Sequence, residues 1–182
     1  MTYYVFVRGI VGNLGTKLLI ENKFESLSEY FNQEYLYKIL MNYGGSIPPL
    51  FMNDNDENDL EEVFDYENIS KGGFLAALWK ICERNDVGLK YDLSKVPISQ
   101  STIEISNYFD INPYRLLTCN SKIIFKKSIK FCNYENYNND VLIGVTTDDK
   151  RRIRIDNETE SYLTKDYKDE IDKVLKGCTK NI

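Results

Sequence analysis

Apolar and polar positions along the chain divide it into short alternating runs and longer helical stripes. Tyr3 to Val7 is a β-branched and aromatic run that predicts a strand. Gly9, Gly12 and Gly15 then break it before Thr16–Ile20 takes up a helical pattern. From Ser26 to Tyr43, Leu27, Tyr30, Phe31, Leu36, Ile39, Leu40 and Tyr43 follow a mostly helical spacing that predicts one helix, ended by Gly44-Gly45. Val63 to Ile69 predicts a strand. Ser70 is then placed to cap a helix that buries Phe74, Leu75, Leu78, Ile81 and Cys82 and closes at Gly88. Leu89 to Leu93 alternates as a strand, Ser99 or Ser101 opens a helix through Phe109, and Lys122 to Phe125 forms another strand. Val141–Thr146 and Arg152–Ile155 predict a strand pair around the turn Asp148-Asp149-Lys150. The final helix is expected at about 162–176, with Leu163, Tyr167, Ile171, Val174 and Leu175 on one stripe.

Strands and helices mix without strict βαβ alternation, so the expected class is α+β, a mixed β-sheet covered by helices. The chain has 182 residues, no internal repeat and no linker, and reads as a single domain over 1–182 with a solvated acidic loop at 53–62. A formal net charge of -5 would repel a phosphate backbone, so nucleic acid is not an expected partner. No apolar run approaches the roughly 18 residues of a membrane span, and the N-terminus lacks the pattern of a secretory signal; a cytoplasmic location without membrane contact is expected.

The chain contains no histidine. Ser-His-Asp and Cys-His nucleophiles therefore cannot be assembled, and hydrolysis would need lysine or a carboxylate as base. The four cysteines, Cys82, Cys119, Cys132 and Cys178, have no CxxC spacing and predict no metal site. Asp54-Asn-Asp56-Glu-Asn58 matches the first ligand positions of a calcium loop. Asp59 and Asp65, however, stand where that loop requires Gly and a bidentate Glu, so a solvated loop is the plainer reading.

Two glycine turns precede helical patterns. The segment Gly9-Ile-Val-Gly12-Asn-Leu-Gly15 lacks the spacing of either a P-loop or a dinucleotide fingerprint, and a turn that simply needs glycine accounts for it. Ser70-Lys71-Gly72-Gly73 could present free N–H groups and a lysine to a phosphate, against the plainer reading of a capped helix.

Taken together, these segments resemble one family. Val7-Arg-Gly9-Ile-Val-Gly12-Asn-Leu-Gly15 is similar to the G-x-[IV]-G-D-H-G turn that opens the C-terminal domain of HypE, the hydrogenase expression/formation protein of the aminoimidazole ribonucleotide (AIR) synthetase superfamily. Asn68-Ile-Ser70-Lys-Gly72-Gly73-Phe-Leu-Ala-Ala-Leu-Trp79 resembles its D-V-T-E-G-G-x-x-x-A-L-W segment. Val87-Gly88, Asp92 to Ile98, Phe109 to Leu117 and Ile143-Gly144-Val-Thr146 continue in the family's order.

The resemblance implies the AIR synthetase (PurM-like) C-terminal domain fold without the ATP-binding N-terminal domain and without the family's terminal cysteine, since Cys178 is not the last residue. Glycines at the turns remain, whereas the family's Asp and His become Asn13 and Leu14, and its Asp and Glu become Asn68 and Lys71. The stretch between Phe125 and Val141 is too short for the family's crossover helix, and a tyrosine- and asparagine-rich loop is expected there. The implied function is a stand-alone HypE-like protein without a complete active site. It would not be an enzyme alone, and would contribute to hydrogenase-maturation-type or related ATP-dependent chemistry through a partner chain that brings ATP and Mg. No catalytic residue is assigned. The expected phosphate or ligand contacts are Asn68, Ser70, Lys71, Gly72 and Gly73, with Gly9, Gly12 and Gly15 lining the cleft. The alternative is a non-catalytic interaction or ligand-binding module, a homodimer among its forms, which an exposed aromatic patch would favour.

Overall fold

The computed structural model describes residues 2–44, 63–127, 140–156, 159–165 and 168–176. The acidic loop at 53–62 with its calcium-like motif, Cys132, Cys178 and most of the expected tyrosine- and asparagine-rich loop lie outside them. Seven strands form one mixed sheet: β1 (Tyr4–Arg8), β2 (Val63–Asn68), β3 (Gly88–Asp92), β4 (Lys122–Lys126), β5 (Asp140–Thr147), β6 (Arg152–Asp156) and β7 (Thr159–Tyr162), in the order β2-β4-β1-β5-β3-β6-β7. Five helices accompany them among the described residues: α1 (Asn13–Ser28), α2 (Gln33–Gly44), α3 (Gly73–Arg84), α4 (Gln100–Tyr108) and α5 (Ile171–Lys176). Single turns of 3-10 helix occupy Leu93–Lys95 and Pro113–Arg115. The architecture is α+β, as the patterning predicts.

Alternation in β1 puts the fully buried Val5 and Val7 on one face of the sheet, level with Phe125 and Ile123 of β4. That face meets the apolar stripe of α3, where Phe74, Leu78, Ile81 and Cys82 are also fully buried. Each such large side chain contributes about 1.5–3 kcal/mol by leaving water, which explains why α3 lies against the sheet. A second core, built from Leu19, Ile20 and Leu27 of α1, Leu36 and Ile39 of α2, Ile105 of α4 and Ile171 of α5, holds the other helices to one another.

Four expectations are corrected. The helix expected from Ser26 to Tyr43 is two helices. The Tyr30 and Phe31 N–H groups both turn back to the Leu27 carbonyl, and the Asn32 side chain accepts from the Glu34 N–H at 2.7 Å to start α2 afresh. Ser70 does not cap α3 with its side chain. The N-cap is Gly72, and Gly72 and Gly73 stand at φ 84° and 68°, a left-handed pair that favours glycine.

The strands Val141–Thr146 and Arg152–Ile155 exist but do not pair. β3 enters between them, antiparallel to β5 and parallel to β6. Gly88 admits this close approach, since a Cβ there would lie 2.6 Å from the Arg151 carbonyl oxygen, to which the Leu89 N–H donates at 2.7 Å. The final helix is confined to Ile171–Lys176. Tyr162 instead pairs with Ile153 in β7, and Leu163 then turns into the α3-side core, its N–H donating to the Arg152 carbonyl. No helix among the described residues is long and apolar enough to cross a membrane.

Candidate functional site

Strand directions decide where a site can form. β1 and β2 both run antiparallel to β4, β3 reaches the same direction through β5, and β6 is parallel to β3. The C-terminal ends of β1, β2, β3 and β6 therefore gather at one edge of the sheet, and the polypeptide leaves that edge through the glycine turns into α1 and α3. The sequence-expected residues are thus brought to this edge. Gly9 and Gly12 lie in the first turn and Gly15 in the opening of α1; Asn68 ends β2, Ser70, Lys71 and Gly72 lie in the second turn, Gly73 opens α3, and the segment 116–121 runs between the two helix heads.

At the first head, Gly12 caps α1 at φ 77° without a side-chain cap. Its N–H donates to Thr118 Oγ1 at 2.8 Å, and the Gly15 N–H donates to the Leu117 carbonyl at 2.7 Å. Asn13, only 3% exposed, uses both ends of its amide. Its Nδ2 donates to the Cys119 carbonyl at 2.9 Å, and its Oδ1 accepts from the Cys119 and Leu14 N–H groups at 3.0 and 2.7 Å. An aspartate could not make the first of these bonds, which gives the uncharged residue a structural reason.

The second head is tied to the C-terminal segment. The Gly72 N–H donates to Asp169 Oδ2 at 2.8 Å, while Asp169 Oδ1 accepts from the Leu117 and Ile171 N–H groups at 3.2 and 3.1 Å. Asp169 is 2% exposed. The Gly73 N–H returns to the Ser70 carbonyl, and a Cβ at Gly73 would lie 2.6 Å from the Tyr114 carbonyl oxygen, so the 3-10 turn Pro113–Arg115 closes over this head. The N–H groups of Gly12, Gly15, Gly72 and Gly73 are therefore engaged within the chain.

What faces outward at this edge is Asn68, Ser70 and Lys71, the last 68% exposed and 3.6 Å from Asp172. Asp172 titrates below the usual carboxylate range because Lys176 and, more weakly, Lys71 favour its charged form against a small desolvation. The nearby Cys119 thiol is pushed up by burial, which outweighs the charge of Lys17, and Cys82 is driven by burial to about 11. Neither sulfur is poised as a thiolate at neutral pH. Among the described residues, no three His, Cys, Asp or Glu side chains group as metal ligands.

Asp169, Asn13 and Thr118 organise this edge and are not among the sequence-expected contacts. Asp169 carries a local signal, an aspartate two residues ahead of the apolar start of α5, whose N–H it caps. Its reach to Gly72, 97 residues away, has no signal in one sequence.

No family model and no curated protein matches the chain. Solved structures do. The HypE hydrogenase maturation protein of E. coli superposes with a TM-score of 0.66 at 13% identity, over 92% of this chain and 51% of that one. A HypE–HypF complex gives 0.63 at 16% identity, over 89% and 52%. A ThiL kinase complexed with AMPPCP and TMP gives 0.55 at 16% identity, over 85% and 50%. The chain spans about half the length of these structures, and at such identities the likeness is one of fold: a PurM-like α+β domain of the kind found in HypE and ThiL.

Proposed function

We propose that this domain supplies one half of a composite, nucleotide-dependent site of the HypE kind, and that it works with a second, ATP- and Mg-binding domain rather than by itself. The observation that carries this reading is the state of the two helix heads. They share one sheet edge, as a phosphate-handling site requires, yet the N–H groups of Gly12, Gly15 and Gly72 are satisfied internally. The open groups there are the side chains of Asn68, Ser70 and Lys71, which suit contact with a phosphate held elsewhere. The proposed partner is an ATP-binding domain of the AIR synthetase type or a hydrogenase-maturation protein, and the setting cytoplasmic. Support for a partner comes from the HypE–HypF complex, and for ATP from the AMPPCP-bound kinase, both of which share the fold.

A thermal-shift titration with ATP and Mg tests the reading, because a ligand at a hundred times its Kd adds about 2.7 kcal/mol of stability. No saturable shift is expected for the domain alone, and a shift is expected once a HypE-type ATP-binding domain is added, weakened in Lys71→Ala. A saturable shift of the domain alone would sink the composite reading.

A second reading has its own observation. Tyr30 is 75% exposed, lies 5.6 Å from the Tyr108 ring and 5.0 Å from Phe31, and so forms an open aromatic cluster where α1, α2 and α4 meet. Such a cluster suits a protein-interaction module. Replacing Tyr30 and Tyr108 with Ser would then abolish association with the partner protein, whereas Lys71→Ala would leave that association unchanged.

A further inference from the structure

We propose that Arg152 and Arg154 of β6 form a binding site for a multiply charged oxyanion, a phosphate or phosphate ester, on the side of the sheet that faces α3. Two residues apart on one strand, they project from the same face. The Arg152 guanidinium lies over the Trp79 ring of α3, 4.0 Å from its centroid, and among the described residues it makes no ion pair. The positive charge of Arg154 acts on the Tyr91 and Tyr114 phenols, so it stands where β3 and the turn Pro113–Arg115 approach β6. Among the described residues its carboxylate partner is Asp156, held at 2.6 Å through Nη2 on the solvent side.

Among the described residues, three buried donors in this cluster have no acceptor: Arg152 Nε, Arg154 Nε and Trp79 Nε1. A buried donor left unmade is costly, so three together are an expensive arrangement unless an acceptor arrives. All three lack the same thing. The complement is an acceptor-only group, and the side-on fork of arginine, Nε with one Nη, matches the oxygen spacing of phosphate. The site does not rest on the composite reading.

Trp79 is the only tryptophan in the chain, so its emission, excited where tyrosine does not absorb, reports on this site. The probes are inorganic pyrophosphate and, in a second arm, glycerol 3-phosphate, each against sodium chloride at matched ionic strength. A saturable change in Trp79 emission is expected with at least one of them, about tenfold or more weaker in Arg152→Gln and Arg154→Gln. Tighter binding of the ester marks a phosphate ester as occupant, and tighter binding of pyrophosphate marks a free inorganic anion. Arg152→Lys and Arg154→Lys keep the charge without the fork and are expected to bind more weakly than the native chain. Emission that responds no differently from the chloride control overturns the proposal even if no variant folds, and so does unchanged affinity in both folded Gln variants.

Discussion

The Asp169 carboxylate accepts the Gly72 N–H at 2.8 Å, so the C-terminal segment closes the helix head that follows β2. Because the same carboxylate also holds the Leu117 and Ile171 N–H groups, its removal strands three buried donors at once. Asp169→Ala is expected to lower the unfolding free energy by about 2–4 kcal/mol in urea denaturation. Asp169→Asn, which keeps one acceptor oxygen, should lose about half as much. A loss within experimental error for both would show that the latch carries no stability.

Asn13 offers the opposite test, since it stands where the resemblance places an acid. In Asn13→Asp the Nδ2 bond to the Cys119 carbonyl is replaced by two facing acceptors. A cost of about 1–3 kcal/mol at neutral pH is expected. Protonation of the new acid restores a donor, so the gap to the native chain should narrow as the pH falls. Equal stability at neutral pH would refute the structural reason given for this amide.

Asp140 sets a pH dependence of the other sign. Burial raises its pKa, but hydrogen bonds and charge from Arg8, with Oδ1 at 2.5 Å from Nε, and from Lys126, at 3.0 Å, outweigh burial and hold it below the ordinary 3.8. A depressed folded pKa gives stability that is complete above the unfolded value and lost as the pH falls through the folded one. Asp140→Asn is expected to cost about 3–5 kcal/mol at neutral pH, the scale for breaking a buried pair. Unfolding curves taken down the acid range should show that difference shrinking below about pH 3.8. A difference that stays constant would mean the ion pair is not its source.

Gly88 tests the sheet order. A methyl group there meets the Arg151 carbonyl oxygen at 2.6 Å as well as the Thr147 hydroxyl, so β3 must shift away from its neighbours. Gly88→Ala should cost about 1–3 kcal/mol and increase amide exchange at Leu89 and Lys90 before it does so in β1. Unchanged exchange in β3 would argue against the tight insertion.

These contacts mark the boundary of what one sequence discloses. The strand at Tyr4–Arg8, the buried stripe of α3 and the Ser99 cap of α4 are local, written into periodicity and capping chemistry within a few residues. The two glycine turns were legible in the same way, and the resemblance set both along one cleft without saying which end of which strands forms it. Sheet order was not, because β3 separates β5 from β6 by a contact that no local pattern encodes. Thr159–Tyr162 has four exposed side chains and offers no alternation to read; only its pairing with β6 makes it a strand, and that pairing cut short the helix the apolar stripe suggests. The satisfied state of Gly72 was hidden for the same reason: its partner lies near the other end of the chain.

The position of β1 has a consequence for synthesis. Its hydrogen-bonding neighbours on either side are Lys122–Lys126 and Asp140–Thr147, so β1 leaves the ribosome well before both partners and waits for them before either ladder can form. Closure across such separations is slow relative to local helix formation. During translation the Val5 and Val7 row is therefore an uncovered apolar face, open to wrong partners until β4, β5 and α3 have been made.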